Sequence, residues 1–202
     1  MNFGKKLIPA LTHPFIMPFY AFSVFFGIEH SAYYYTTFQC LTIYASALGM
    51  SLGIPLWTML VTKKKDVFNF ETPVDLSSYY IFVSQAGGCI LAYLIMHDTV
   101  FQTGTSANLL LPLFLIVTGI YAACAKKKLF NANGLFCGAL SGYIITLDTR
   151  LNVDMMMPFI FSVIIFSLIA YLNIENHQCG YVKSLISYLT GIVAGCLMIL
   201  LP

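Results

Sequence analysis

The stretch MMMPFIFSVIIFSLIAYLNI, residues 155–174, runs for its whole length without a charged side chain. At 1.5 Å per residue, a helix of this length covers about 30 Å, the thickness of the hydrocarbon core of a bilayer. The apolar character is continuous and does not alternate with polar positions, so a helix is favoured over a membrane strand. The stretch therefore predicts a transmembrane helix.

Six further segments are apolar over a comparable length. They are Leu7 to Ile28, Thr37 to Thr62, Leu76 to Met96, Leu109 to Ala125, Leu129 to Leu147 and Ser184 to Leu201. With 59% hydrophobic and 9% charged residues, the chain has too little polar surface to cover a soluble domain. We therefore predict an all-α fold, a polytopic transmembrane helical bundle of about seven spans. Residues 1–202 would form a single integral membrane domain.

The basic residues predict the orientation of this bundle. If seven spans start from a cytoplasmic amino terminus, every lysine falls on the cytoplasmic side and only Arg150 falls on the other. Short cytoplasmic loops are enriched in Lys and Arg. The sequence therefore predicts a cytoplasmic amino terminus and a carboxyl terminus outside. The net charge of +2 is small, which argues against a nucleic-acid partner.

Glycines recur at intervals of four in the fifth segment, as Gly134, Gly138 and Gly142. Residues at this spacing share one helix face, and the missing side chains let another backbone approach closely. We therefore expect this helix at the centre of the bundle. Packing within the chain is the favoured interpretation, and a homodimer or partner interface is the alternative. The same spacing recurs at Gly191 and Gly195 in the last segment and at Gly49 and Gly53 in the second.

Few ionisable or amide groups fall inside the segments, and each one is a candidate functional group. His13 lies beside Pro14 and Pro18, and prolines free backbone carbonyls that an imidazole can satisfy. Gln39 and Gln85 are predicted to donate hydrogen bonds between helices. The six cysteines lack the spacing of metal ligands, so we expect neither a metal nor a cofactor.

Glu175 and His177 place a carboxylate and an imidazole close together in a predicted cytoplasmic loop. Such a pair is suited to proton transfer. No activated nucleophile accompanies it, so a solvated loop is the simpler interpretation.

Three short motifs of the chain are similar to motifs of one family of membrane enzymes. They are HPFIMP at residues 13–18, the lysine- and glycine-rich stretch at residues 127–142, and YLN at residues 171–173. In these motifs the chain resembles a compact bacterial branch of the type 2 phosphatidic acid phosphatase family. These integral membrane enzymes remove phosphate from lipids through a phosphohistidine intermediate. The resemblance implies a multi-pass protein of the bacterial inner membrane.

The catalytic positions of that family are not matched. Asn131 stands where the family has the histidine of its glycine-rich motif, Ile169 where it has an arginine, and Glu175 where it has the attacking histidine. The family's first basic motif corresponds to residues 71–79, ETPVDLSSY, which hold no Lys or Arg. An amide does not exchange a proton at neutral pH, and a carboxylate repels a phosphate dianion. The resemblance therefore implies the phosphatase architecture with a lost active site.

Two functions remain open. The first is a noncatalytic subunit that binds membrane lipids or associates with a membrane-protein partner or a second copy of itself. The alternative is an atypical lipid phosphate or pyrophosphate phosphatase that uses His177 with the lysine clusters. The candidate catalytic residues are His177, Glu175, His13 and Asn131, and the candidate headgroup- or phosphate-binding residues are Lys63, Lys64, Lys65, Lys126, Lys127 and Lys128.

Overall fold

The computed structural model describes residues 16–29, 36–38, 41, 44–45, 49, 53–62, 82–91, 94, 113–121, 123, 129–152, 154–175 and 180–197. Within these ranges the chain is helical and contains no strand, so the predicted all-α class is confirmed. Over the same residues, no helix combines the length and the apolar character that crossing a membrane requires.

The longer helical runs of the described ranges are α1 (Met17–Glu29), α2 (Ile54–Thr62), α3 (residues 82–91), α4 (residues 113–121), α5 (Ala132–Leu151), α6 (Met156–Glu175) and α7 (Tyr181–Leu197). Each of the seven apolar segments overlaps a different one of these helical runs. At two ends a helix includes a basic residue that lies outside the predicted segment. α5 continues past Leu147 and includes Arg150, and α7 begins before Ser184 and includes Lys183. Hydropathy alone places both basic residues in loops.

A tight turn joins α5 to α6 as an antiparallel hairpin. Asn152 ends α5 in a left-handed backbone conformation, with φ 53 and ψ 37, and asparagine tolerates this conformation better than most residues. Its N–H donates to the Asp148 carbonyl oxygen at 3.1 Å. Asp148 Oδ1 accepts from the Met155 N–H at 3.1 Å, and Asp154 Oδ1 accepts from the Met156 N–H at 2.9 Å. These carboxylates stabilise backbone donors at the start of α6.

α5 is the central helix of the described part of the chain, as its glycine spacing predicted. All of residues 134–144 are buried, and α1, α6 and α7 contact this helix. The Phe136 ring also lies 6.1 Å, between centroids, from both Phe82 of α3 and Phe114 of α4. Phe82 in turn packs 4.4 Å from Tyr121 of α4. Aromatic side chains therefore attach α3 and α4 to the central helix.

Large apolar side chains cover the outside of α6 and α7. On α7 the exposed positions recur every three or four residues, which places them on one face; they are Val182, Ile186, Leu189, Val193 and Leu197. On α6 they are Met156, Met157, Ile160, Phe161, Ile164, Leu168 and Tyr171. Small polar residues lie inside instead, namely Ser141, Thr146, Ser162, Ser184 and Ser187. On these helices, several hydroxyl groups are therefore buried while large apolar side chains lie outside.

Candidate functional site

α5 and α7 run parallel and touch through their glycines. Gly138 faces Gly191, and a Cβ atom added to Gly191 would lie 2.9 Å from the Gly138 carbonyl carbon. Four residues further along both helices, a Cβ added to Gly195 would lie 2.7 Å from the Cα atom of Gly142. Real Cβ atoms essentially never approach another heavy atom within 3.0 Å. The two backbones are therefore in direct contact, which side chains at these four positions would prevent.

The remaining contacts of this interface also involve the predicted glycine face. A Cβ added to Gly138 would overlap the Tyr188 carbonyl oxygen, and one added to Gly134 would lie 3.1 Å from the Ser184 carbonyl oxygen. All three glycines of that face thus meet α7 of the same chain. A second copy or a partner would have to displace α7 to dock on this face.

Asn131, one of the candidate catalytic residues, caps α5. Its Oδ1 atom accepts from the Gly134 N–H at 3.3 Å, and its own N–H donates to Ser187 Oγ at 2.8 Å. Ser187 Oγ donates to the Lys183 carbonyl oxygen at 2.7 Å. The extended backbone of Asn131 and its side-chain acceptor are typical of a helix N-cap. The residue therefore joins the start of α5 to the first turns of α7.

A chain of buried hydroxyl groups connects α5, α6 and α7. Ser141 Oγ lies 2.9 Å from Ser162 Oγ and 2.9 Å from Tyr188 Oη. Ser162 Oγ donates to the Phe159 carbonyl oxygen at 2.7 Å. Since each hydroxyl has one proton, the consistent order is Tyr188 donating to Ser141 and Ser141 donating to Ser162. The Cys137 carbonyl oxygen, 3.1 Å from Ser141 Oγ, is a second acceptor for the Ser141 proton.

This hydroxyl chain links the three helices through side-chain hydrogen bonds. The described partners of Ser141 and Ser162 are hydroxyl, thiol and backbone carbonyl groups, and none of these is a base that would activate a serine nucleophile. The Tyr188 ring is fixed by stacking on Phe166, with centroids 3.9 Å apart. One indirect signal for these residues is present in the sequence, because Ser141 lies between Gly138 and Gly142 on a helix predicted to pack closely.

Thr146 adds a further polar link between the two parallel helices. Its Oγ1 atom lies 3.0 Å from the carbonyl oxygens of both Gly142 and Gly195, so the hydroxyl donates within α5 and across to α7. The link lies one turn beyond Gly142. The interface is therefore bonded through Asn131 and Ser187 at one end and through Thr146 towards the other.

The interhelical hydrogen bond predicted for Gln85 is not formed with any described residue, so that prediction is wrong. Its side chain is fully buried, yet neither its Nε2 nor its Oε1 atom has a hydrogen-bond partner among the described residues. Gln85 lies one turn from Phe82, on the side of α3 that packs against aromatic rings. Aromatic rings offer the amide no conventional donor or acceptor. Gln39 lies outside the described residues.

The described residues give no metal centre. They contain no group of three or more His, Cys, Asp or Glu side chains placed to hold a metal ion, and their cysteines Cys89, Cys137 and Cys196 are free thiols. A cavity of about 280 Å³ at the α5–α6 turn has Asp148 and Asp154 in its wall. Both carboxylates already accept backbone N–H groups, so they are engaged in the turn.

Most candidate site residues of the sequence fall outside the described ranges. They are His13, Lys63, Lys64, Lys65, Lys126, Lys127, Lys128 and His177. Glu175 is the last residue of α6, and its side chain is outside the description. The lysine clusters and the Glu175 and His177 pair therefore stay predictions. Comparison of the chain with protein-family models, curated proteins and solved structures gave no match.

Proposed function

We propose that this chain is a noncatalytic integral membrane protein whose helical bundle binds lipid. The observation that carries the proposal is that six serine and threonine residues are buried in the described bundle, whereas large apolar side chains lie on its outside. In water, contiguous exposed apolar surface is unfavourable, whereas lipid chains solvate it. The apolar segments of the sequence also extend past the described helices, as Ser184 to Leu201 does beyond the end of α7.

The contacts between helices support a lipid environment. Lipid tails are as apolar as leucine, so helices in a bilayer associate through close packing of small residues and through interhelical hydrogen bonds. α5 and α7 use the first of these at Gly142 and Gly195. α5, α6 and α7 use the second at Ser141, Ser162 and Tyr188.

The parallel arrangement of α5 and α7 is consistent with alternating spans. Two spans separated by a single antiparallel span must run in the same direction, as α5 and α7 do around α6. Lys183 lies at the end of this pair that contains Asn131, and Arg150 lies in the last turn of α5 at the opposite end. This separation favours Lys183 on the cytoplasmic side and Arg150 outside.

Two positions support the noncatalytic part of the proposal. Asn131, which stands at a histidine position of the phosphatase family, is used as a helix cap. Ile169, which stands at an arginine position, is 1% exposed and packs in the core. A phosphatase needs positively charged groups beside the negative phosphoryl oxygens, and a buried isoleucine supplies none.

The test has two parts. Alkaline carbonate washing of membranes that contain the full chain should leave it in the membrane pellet, and its release would refute membrane insertion. Purified protein and its His177→Ala variant should release no phosphate from lipid phosphates and pyrophosphates. Release by the wild type that the variant loses would refute the noncatalytic proposal and establish the alternative, an atypical phosphatase that uses His177.

A further inference from the structure

An apolar groove lies among α1, α5 and α6, half-way along the central helix. Its cavity volume is about 250 Å³. Val24 of α1, Leu140 and Ile144 of α5, and Ile165 of α6 form its walls. An apolar cavity of roughly 150 Å³ holds a benzene molecule. The groove is therefore large enough for a segment of hydrocarbon chain.

The lining of the groove selects against polar ligands. Among the described residues that line it none is charged, and the polar ones are Tyr20, Ser23 and Ser162. The Ser23 hydroxyl donates to the carbonyl oxygen of Phe19 at 2.8 Å and the Ser162 hydroxyl to that of Phe159 at 2.7 Å. Tyr20 contacts the Phe19 ring and has a further interaction within the chain. A ligand that buried a carbonyl, phosphate or carboxylate here would find no available serine proton, and such burial is costly.

The groove opens towards the apolar outer surface of α6. Phe161 borders the groove and is 63% exposed. Ile160 and Ile164, its neighbours on the same helix, belong to the exposed apolar surface described above. A chain segment in the groove would therefore be continuous with hydrocarbon that surrounds the bundle.

We propose that this groove binds an acyl chain of a membrane lipid between α1, α5 and α6. The inference rests on the proposed membrane location and adds to it a specific lipid site. Its floor is the central helix α5, which contributes Leu140 and Ile144 to the lining. A lipid that only surrounds the bundle reaches the outer face of α6 but not these two side chains.

The experiment uses the full chain in phospholipid vesicles that carry a photoactivatable phospholipid, with a diazirine midway along one acyl chain. After illumination, the labelled residues are mapped by mass spectrometry. We expect labels on Leu140 or Ile144 as well as on the outer face of α6. Ile165→Phe, which fills the groove, should lower the α5 label about tenfold, the loss expected when two methylene groups are excluded from apolar surroundings. Ile164→Phe, the same change at a 51% exposed neighbour, should leave it unchanged.

The outcomes separate the groove from the membrane location. Labels on the outer face of α6 without labels on α5 would overturn the groove and leave the membrane location intact. Release of the protein by alkaline carbonate would refute the membrane location itself. Equal α5 labelling in the Ile165→Phe and Ile164→Phe variants would also overturn the groove. If Ile165→Phe does not fold, Val24→Phe fills the groove from α1 and tests in the same way whether the α5 label depends on the groove. The wild-type labelling map is decisive without either variant.

Discussion

The backbones of Gly142 and Gly195 touch, so that a Cβ atom on Gly195 would lie 2.7 Å from the Gly142 Cα atom. One turn earlier, Gly138 and Gly191 repeat the relationship. Because the matched glycines have no side chains, the backbones of the two parallel helices α5 and α7 are in direct contact. The position of α7 in turn places the Tyr188 hydroxyl beside Ser141. Close packing and the buried hydrogen bonds are therefore parts of one arrangement.

Gly142→Ala is expected to destabilise the bundle. The added methyl group would overlap the Ile192 carbonyl oxygen and lie 2.9 Å from the Gly195 Cα atom, so the helices must separate. Overpacking of this kind costs about 1–3 kcal/mol. Thermal unfolding in detergent measures the change. Gly119→Ala is the matched control, because a Cβ atom there would meet nothing within 4 Å. Alanine in that helix should be neutral or stabilising, and equal losses in both variants would contradict the close contact.

Ser141→Ala is expected to cost about 1 kcal/mol of unfolding free energy, because it leaves the buried Tyr188 hydroxyl without its acceptor. Tyr188→Phe removes the same hydrogen bond together with the hydroxyl. The double variant should therefore lose less than the sum of the two single losses. Ser167→Ala is the control, since Ser167 is exposed and donates only to the Val163 carbonyl oxygen of its own helix. Strict additivity of Ser141→Ala and Tyr188→Phe would contradict the hydroxyl chain.

Gln85→Met is expected to stabilise the protein. The glutamine buries an amide without a described partner, and such burial costs roughly 1–3 kcal/mol. Methionine keeps the shape of the side chain and removes the polar atoms. Gln85→Glu should act in the opposite direction, because it introduces an unpaired buried charge. A loss of stability in Gln85→Met, measured by thermal unfolding, would mean that the amide has a partner.

Asn131→Ala is expected to destabilise the protein by about 1 kcal/mol through loss of the helix cap. Asn131→Ser should keep most of the stability, because serine is also a good N-cap. Asn131→His would place the histidine of the family motif at this position, and we expect no phosphate release from it. Phosphatase activity in that variant would contradict the noncatalytic proposal.

The sequence predicts the central helix because the spacing of its glycines determines their arrangement on the helix without reference to the rest of the fold. Gly134, Gly138 and Gly142 share a face in any α-helix, whatever surrounds it. Which helix covers that face depends on the relative position of two segments about fifty residues apart, and no local pattern encodes that position. For the same reason the sequence placed Ser141 beside the glycines but did not identify Tyr188 as its partner.

Helix ends were less predictable than helix positions. Hydropathy ended the fifth segment at Leu147, but α5 continues to Leu151, where Asn152 and the Asp148 carboxylate form the turn. Such an end depends on backbone conformation and capping hydrogen bonds, which hydropathy does not measure. The groove was not predictable either. It is a space left between three helices, and it depends on how their side chains pack.

The measurement that tests the central claim most directly is the accessibility of single cysteines at Arg150 and Lys183 in intact cells. The two substitutions, Arg150→Cys and Lys183→Cys, are made in a chain whose six native cysteines are replaced by alanine. A membrane-impermeant maleimide should label Arg150→Cys from outside and Lys183→Cys only after permeabilisation, because the parallel helices α5 and α7 place these residues at opposite ends of the bundle. Labelling of both from outside, or of neither before permeabilisation, would contradict a membrane-spanning α5–α7 pair.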